Sequence, residues 1–441
     1  ARDRDSGREC AVTVGRNPGF RHGSSLVRSD NGPVPCIERI SANDLTTLAT
    51  DRGQVPMNIA AMLELSGVSD PAATAGEIAK RLASIRRFRQ RLVRLPLGGG
   101  RPYWQDMPGF DPSVTQVVGD ELDVLAVLVC ARLPPDWPLW RLGWVTLPGD
   151  RMAVILVVHH VLADGMGGLA VLSALADGVP LPKPPAPVPP PRLGELLRSD
   201  RFAVPDLREA LAGLREVRSP GAGRLAPTSI TQPTSSHRQV RVVECDLTAL
   251  RRSDATVNDV VLSAVSGALL QYLTERGERP PALVVSVPIS RRATGTELGN
   301  EVGVVPVAVP AGLSAGERLR FIAERTAIAK QGIRGSSSLI LSWMFRGLAA
   351  VRLGQFFVDH QRLVHTFETN LRGPEQRLSV ARSRVERIVP VAVNPGNVGV
   401  SFDVLSYAGN LGITIVSDPA QVPDPDHLAR LVARAMSQTS H

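Results

Sequence analysis

The sequence predicts an α/β protein with two domains, and three observations support this prediction. The chain has 441 residues, which exceeds the size of one typical hydrophobic core. Short, β-branched apolar runs alternate along it with segments of helical period, which indicates strands and helices in alternation. The proline-rich stretch at residues 178–193 favours neither helix nor sheet and predicts a semi-rigid connector between the domains.

These features divide the chain into four segments. Residues 1–36 mix Arg, Asp, Gly and Ser with little apolar periodicity, so we expect a disordered leader. Residues 37–177 form the first domain, and residues 178–236 form a proline-rich linker with a helical stretch at 195–217. Residues 237–441 form the second domain.

The central feature of the first domain is the segment 151–172. Its seven apolar residues at 152–158 predict a buried strand that ends on His159 and His160. Glycines at 165, 167 and 168 allow a sharp turn before a helix at 169–176. Upstream we expect a capped helix at 41–49, a strand at 56–65, and a basic amphipathic helix with its exit at 76–95.

In the second domain, the best-defined helix begins at Thr256, because Thr256 and Asp259 have capping-box spacing. The apolar segment 339–357 fits either a core helix or a helix lying in a lipid interface. Two more helices are expected, at 314–331 and 425–436. Strands are expected at 238–246, 282–287, 302–309, 363–369, 389–393, 398–405 and 411–417.

The formal net charge of +8 favours anionic partners. Zinc-binding spacing and lysine runs with interleaved aromatics are missing from the sequence, so we expect no nucleic-acid partner. No apolar run reaches the roughly 18 residues of a membrane span, and the N-terminus lacks the core of a signal peptide. With scattered cysteines outside any CxxC motif, this predicts a cytoplasmic protein whose membrane contact is peripheral.

The candidate chemistry is that of a histidine base. A neutral imidazole can take a proton from a hydroxyl group, and the spacing of His160 and Asp164 lets the carboxylate orient the ring or anchor the loop. A metal site is disfavoured, because the adjacent His159 and His160 side chains leave a strand on opposite faces. Two structural histidines remain the other alternative. The chain also lacks a GxSxG elbow, a phosphate-binding loop and a GxGxxG motif, which leaves direct transfer between two substrates.

The motif around these histidines resembles a known one. His159, His160, Asp164 and Gly165 match the HHxxxDG motif of the acyl-CoA-dependent acyltransferase superfamily, which includes chloramphenicol acetyltransferase and the condensation domains of peptide synthetases. Three other segments resemble motifs of the bacterial wax ester synthase/diacylglycerol acyltransferases: Pro138-Leu139-Trp140, Asn258-Asp259, and the C-terminal run 406–411. The segment 370–374, Asn-Leu-Arg-Gly-Pro, departs from the family's usual Asn-Val-Pro-Gly-Pro.

The resemblance implies two chloramphenicol acetyltransferase-like domains, each a mixed sheet with helices, and an active-site tunnel between them. It implies that His160, the second residue of the His159-His160 pair, is the general base. Asp164 would hold the loop through an arginine, for which Arg89 is the candidate, and Gly165 would serve backbone geometry. Asn258 would shape or polarise the site or else cap its helix. Trp140, Pro138 and Asp259 would belong to the substrate channel, although Trp140 also fits a core aromatic residue.

The resemblance also implies the reaction. A long-chain acyl group would pass from acyl-CoA to diacylglycerol or a fatty alcohol, giving triacylglycerol or wax ester, with acyl-CoA as co-substrate and without metal or cofactor. The basic charge fits both the CoA phosphates and an anionic membrane or lipid-body surface. Two alternatives stay open: another hydroxyl substrate, such as a polyketide or glycolipid, or a non-catalytic lipid-surface binding protein.

Overall fold

A computed structural model describes residues 37–95, 100–180, 186–199, 225–250, 255–290, 302–332, 354–392 and 396–439. The expected leader at 1–36 lies outside the described residues, as do most of the expected helix at 195–217 and most of the segment 339–357. The domain boundaries drawn on the sequence stay predictions.

The first part of the chain alternates helices and strands. In order, its elements are α1 (Ala42–Thr50), β1 (Asn58–Ser66), α2 (Pro71–Ser84), β2 (Gln90–Val93), β3 (Tyr103–Asp106), β4 (Val114–Gln116), α3 (Glu121–Cys130), β5 (Trp140–Leu147), β6 (Arg151–His159), α4 (Gly165–Leu175) and α5 (Leu193–Ser199).

The second part begins with a strand and ends with a helix. Its elements are β7 (Gln239–Asp246), α6 (Val257–Glu275), β8 (Ala282–Ser290), β9 (Val302–Pro310), α7 (Ala315–Gly332), α8 (Gly354–Asp359), β10 (Thr366–Arg372), β11 (Ser379–Val380), β12 (Ser383–Ala392), β13 (Val400–Tyr407), β14 (Asn410–Ser417) and α9 (Pro425–Thr439).

Most of the described strands form two mixed six-stranded sheets, and β2 and β3 form a separate two-stranded sheet. This confirms the expected α/β fold. Within the described residues, the first sheet has the order β11-β12-β1-β6-β5-β4 and the second the order β7-β14-β13-β10-β8-β9. The expected buried strand at 152–158 is confirmed as β6, whose residues from Met152 to His159 are all buried. β6 pairs with β1 and β5 in antiparallel register, with Leu63 opposite Val154 and Trp144 opposite Val154 on the other side.

The first sheet contains strands from both parts of the chain. β12 pairs with β1 in antiparallel register, Leu63 opposite Ile388, and β11 continues the sheet beyond it. The Arg387 Nε atom donates to Glu64 Oε2 at 3.0 Å across this pairing, over 323 residues of sequence. The second part of the chain therefore completes the first sheet.

The second sheet is mixed because two parallel pairs lie at its centre. β10 is parallel to both β13 and β8, whereas β13 and β14, β14 and β7, and β8 and β9 are antiparallel. Helices α6 and α9 cover one face, where Val260, Leu269 and Leu428 share a core with Phe402 and Ile413. The other face of the second sheet lies toward the first sheet, and a cavity lies between the two sheets.

The segment 76–95, expected as a helix with its exit, differs from the structure at its start and contains a strand after the helix. The helix begins earlier, because Asp70 caps it by accepting from Ala73 N at 3.0 Å and Pro71 occupies its first turn. It ends at Ser84, since Ile85 is extended at φ −79° and ψ 119°. A 3-10 turn, Arg86–Arg89, and strand β2 follow. Apolar spacing alone did not reveal this break.

Candidate active site

The first histidine of the pair is held by a carboxylate. His159 ends β6 and is buried, and its Nε2 lies 3.2 Å from Asp51 Oδ2. The Val161 amide donates to His159 Nδ1 at 3.1 Å. Burial pushes the pKa of Asp51 upward, but the hydrogen bond and charge of His159 outweigh it, and the pKa is lowered. Both ring nitrogens of His159 are thus engaged by the protein, and the residue anchors the end of the strand.

The second histidine faces a cavity. The His160 amide donates to Met57 O at 2.8 Å, and its side chain lines the cavity. Adjacent residues leave a strand on opposite faces, so His159 and His160 do not converge. Burial lowers the pKa of His160, and a hydrogen bond to its own backbone and the charge of Asp164 oppose this only in part. The ring is therefore neutral at pH 7 and able to accept a proton.

Asp164 fixes the start of helix α4. It is 2% exposed, and its Oδ1 accepts from Gly167 N at 2.7 Å as the helix N-cap. The ion pair expected between Asp164 and Arg89 is not found among the described residues. Arg81 instead binds the other end of α4, donating to Leu175 O at 3.0 Å and pairing with Asp177 at 2.9 Å. The physical reason is that Arg81 lies on α2, which packs against α4, whereas Arg89 lies beyond the helix end.

Gly165 lies in close contact with the second sheet, and its backbone does not adopt the left-handed conformation that favours glycine. It is the first residue of α4, and its φ lies outside the left-handed region. A Cβ atom there would lie 3.1 Å from Leu371 Cδ1, tighter than ordinary van der Waals contact. Since Leu371 belongs to β10, this glycine lets a strand of the second sheet approach the loop that carries Asp164.

The cavity lies between the first sheet, helix α4 and the second sheet, and has a volume of about 130 Å³. Its walls are mostly apolar, from β1, β6, α4, β10, β12 and β13. Three polar side chains stand among its lining residues: His160, Thr369 and Asp403. The cavity thus lies between the two sheets, and its continuation as a tunnel stays a prediction.

Asp403 is a lining residue that sequence reasoning missed. Its Oδ2 accepts from Ala392 N at 2.8 Å. Burial raises its pKa to about 7, although the Ala392 amide lowers it. The signal available in the sequence is a single charge in the mostly apolar strand 398–405, since an unpaired charge in a buried strand is costly without a function.

Trp140 supports the cavity from behind. It is 7% exposed, its Nε1 donates to Phe88 O at 2.8 Å, and its ring meets Phe88 edge-on with centroids 5.6 Å apart. Pro138 is buried and accepts from Trp140 N at 2.7 Å. Phe88 lines the cavity, but Trp140 and Pro138 do not. Trp140 and Pro138 were expected to form the channel wall, but they lie outside it, and Trp140 packs against the lining residue Phe88.

Asn258 and Asp259 lie away from the cavity. The expected capping box is confirmed: Thr256 Oγ1 donates to Asp259 Oδ2 at 2.6 Å. Asp259 is 3% exposed, and its Oδ1 accepts from Thr326 Oγ1 at 2.7 Å. Helix α6 packs on the face of the second sheet that carries Phe402, and Asp403 leaves the opposite face. Neither Asn258 nor Asp259 therefore lines the cavity, and the helix cap is Thr256, not Asn258.

Neither a metal-binding cluster nor a membrane-spanning helix is present among the described residues. No group of three or more His, Cys, Asp or Glu side chains in the described ranges could hold a metal ion. None of the helices described here is long and apolar enough to cross a membrane.

Comparisons with known proteins agree with this fold. The wax ester synthase/diacylglycerol acyltransferase catalytic domain matches residues 40–218, and the C-terminal domain of the same family matches residues 298–439. The Mycobacterium tuberculosis protein named as a probable diacylglycerol O-acyltransferase, tgs1, is 28% identical, over 90% of this chain and 95% of its own.

Two solved structures share the architecture. The wax ester synthase/diacylglycerol acyltransferase from Marinobacter aquaeolei has a TM-score of 0.68 at 18% identity, covering 91% of this chain and 98% of its own. A mutant of the starter condensation domain of rhizomide synthetase, in complex with C8-CoA, has a TM-score of 0.62 at 15% identity, covering 92% of this chain and 95% of its own. With both family domains matched in order, the chain belongs to the wax ester synthase/diacylglycerol acyltransferase family, a family of acyltransferase enzymes.

Proposed function

We propose that this protein transfers a long-chain acyl group from acyl-CoA to the hydroxyl of diacylglycerol or a fatty alcohol, with His160 as general base. The observation that carries the proposal is a neutral imidazole in the wall of an otherwise mostly apolar cavity between two sheets. The names of the related proteins support acyl transfer to these acceptors.

The proposed reaction runs in two steps. The His160 imidazole takes the proton of the acceptor hydroxyl while its oxygen attacks the thioester carbonyl, forming a tetrahedral intermediate. The C–S bond then breaks, the ester is released, and the CoA thiolate takes the proton from the imidazolium. The apolar walls would receive the acyl chain. Because Asn258 does not line the cavity, it has no part in the step as proposed.

The charge of the protein supports two further parts of the proposal. The net charge of +8 would attract the phosphates of CoA, and it would also favour peripheral contact with an anionic membrane or lipid-body surface. We place the protein in the cytoplasm, at such a surface.

The test uses labelled palmitoyl-CoA with hexadecanol and dioleoylglycerol offered in parallel. We expect labelled ester from the wild type and a loss of at least about 100-fold in His160→Ala, the scale of a lost general base. His237→Ala is the matched control, because His237 is exposed and lies outside the cavity lining. Equal activity of His160→Ala and wild type would overturn the role of His160. Absence of any ester from a folded wild type that binds liposomes would instead support a non-catalytic lipid-binding protein.

A further inference from the structure

The cavity has a second polar position besides His160. Thr369 and Asp403 are paired in register on the adjacent parallel strands β10 and β13, so both side chains leave the same face of the second sheet. Both line the cavity. Except for His160, the side chains around them in the lining are apolar.

Asp403 has hydrogen-bonding capacity left over. Its Oδ2 accepts from Ala392 N, and within the described residues no donor reaches its other carboxyl oxygen. The side chain is 4% exposed, and burial raises its pKa to about 7. A substantial fraction of the molecules therefore carries the carboxylic acid at neutral pH, and an acid can donate a hydrogen bond as well as accept one.

Buried hydroxyls surround the same position. Thr414 lies directly opposite Asp403 on β14, and Ser401 precedes Asp403 by two residues on the same face. The Oγ atoms of both are buried and have no hydrogen-bond partner among the described residues. Buried polar groups without partners destabilise a fold. Ser401 and Thr414 lie outside the cavity lining, so the polar groups that a bound molecule can reach on this face are those of Asp403 and Thr369.

The chemistry of the two acceptors differs at this point. A fatty alcohol has one oxygen atom, which must lie at His160 for reaction. A diacylglycerol carries two ester groups beside its hydroxyl, and each carbonyl oxygen can accept a hydrogen bond from the Asp403 acid or the Thr369 hydroxyl. We propose that Asp403 and Thr369 form a subsite that selects acceptors with an ester oxygen near the reacting hydroxyl over simple fatty alcohols. This inference rests on the proposed acyl transfer.

The experiment measures kcat/KM for dioleoylglycerol and for hexadecanol, at saturating palmitoyl-CoA, in the wild type, Asp403→Leu, Asp403→Asn and Thr369→Val. We expect Asp403→Leu to lose about 10- to 100-fold on dioleoylglycerol, the range for a hydrogen bond to a buried group, and less than about threefold on hexadecanol. Asp403→Asn keeps an oxygen for the Ala392 amide and an N–H donor for the ester, so it should stay within about fivefold of wild type on both acceptors.

Two controls make the outcomes separable. Asp111→Leu removes an exposed carboxylate outside the cavity lining and should change neither value. If Asp403→Leu does not fold, as judged by circular dichroism, Thr369→Val carries the test, with a smaller loss in the same direction.

Three results would overturn the inference. An equal loss on both acceptors would place Asp403 at the acyl donor or at the developing oxyanion, and no loss on either acceptor would show that Asp403 does not contact the acceptor. Wild type that transfers to neither acceptor would overturn the proposed function, and the subsite with it.

Discussion

The imidazole of His159 and the carboxylate of Asp51 lie 3.2 Å apart, and this contact separates the two adjacent histidines into different roles. The ring of His159 is bound by Asp51 and the Val161 amide. The side chain of His160 lines the cavity. The same carboxylate accepts from the Met57 amide at 2.8 Å, and Met57 O in turn accepts from the His160 amide. Asp51 therefore holds the start of β1 and the end of β6 together at one end of their pairing.

Asp51→Ala should destabilise the protein without changing the base. Removing the carboxylate leaves the buried His159 ring without its acceptor, so we expect the free energy of unfolding to fall by about 1–3 kcal/mol. Urea denaturation measures this loss, and a double-mutant cycle with His159→Ala should show coupling between the two. The pH dependence of transfer should keep its midpoint, and a moved midpoint would contradict the assignment of His160 as base.

The pH profile of acyl transfer should report His160. Its pKa is lowered by burial from the ordinary 6.5, so the imidazole stays neutral, and competent as a base, down to a pH below that value. We expect kcat/KM to be flat from about pH 7 to 8 and to fall tenfold per unit on the acid side, with a midpoint below 6.5. A midpoint clearly above 6.5 would show that another group, or a charged partner of His160, controls the rate.

Gly165→Val should be destabilising, and Leu371→Ala should partly rescue it. Since a Cβ at position 165 would lie 3.1 Å from Leu371 Cδ1, a branched side chain overpacks the contact by about 1–3 kcal/mol. Shortening Leu371 relieves that clash. Thermal unfolding of the two single variants and the double variant measures the coupling, and strict additivity would show that the close approach of β10 is not what requires the glycine.

Glu368→Gln should alter how stability depends on pH. Glu368 is fully buried, and both of its carboxyl oxygens have no hydrogen-bond partner among the described residues. Burial, with the nearby carboxyls of Asp403 and Asp259, raises its pKa from 4.5 to about 8. The folded state therefore binds a proton that the unfolded chain releases above pH 4.5, and stability falls as the pH rises from 4.5 towards 8.

Gln carries no such proton. Relative to wild type, Glu368→Gln should gain about 3 kcal/mol between pH 5 and pH 7.5, at 1.36 kcal/mol per pKa unit. Denaturation at the two pH values measures this gain. A difference between variant and wild type that is the same at both pH values would contradict the buried, protonated state of Glu368.

Local signals in the sequence predicted the elements around the site well. The apolar run 152–158 is β6, and the spacing of Thr256 and Asp259 is a capping box, because each pattern reports contacts within one element. The face of His160 also followed from strand geometry. These predictions needed no knowledge of which segments meet in space.

The prediction for Arg89 failed because it depended on a long-range contact. Arg89 was chosen as the partner of Asp164 from its position in the chain, whereas the packing of α2 on α4 brings Arg81 to that helix. Asp51 and Asp403 reach the site from segments far apart in sequence, and no periodicity joins them to His160. The one sequence signal for Asp403 is that it is the single charge in a mostly apolar strand.

The insertion of β12 beside β1 has a consequence for how the enzyme is made. Until residues 383–392 are synthesised, β1 presents an open strand edge, which invites pairing with other chains. Pairing between segments this distant in sequence is also slow. A nascent chain that ends before β12 therefore lacks one wall of its cavity, and catalytic competence arrives late in translation, when the strand closes the sheet.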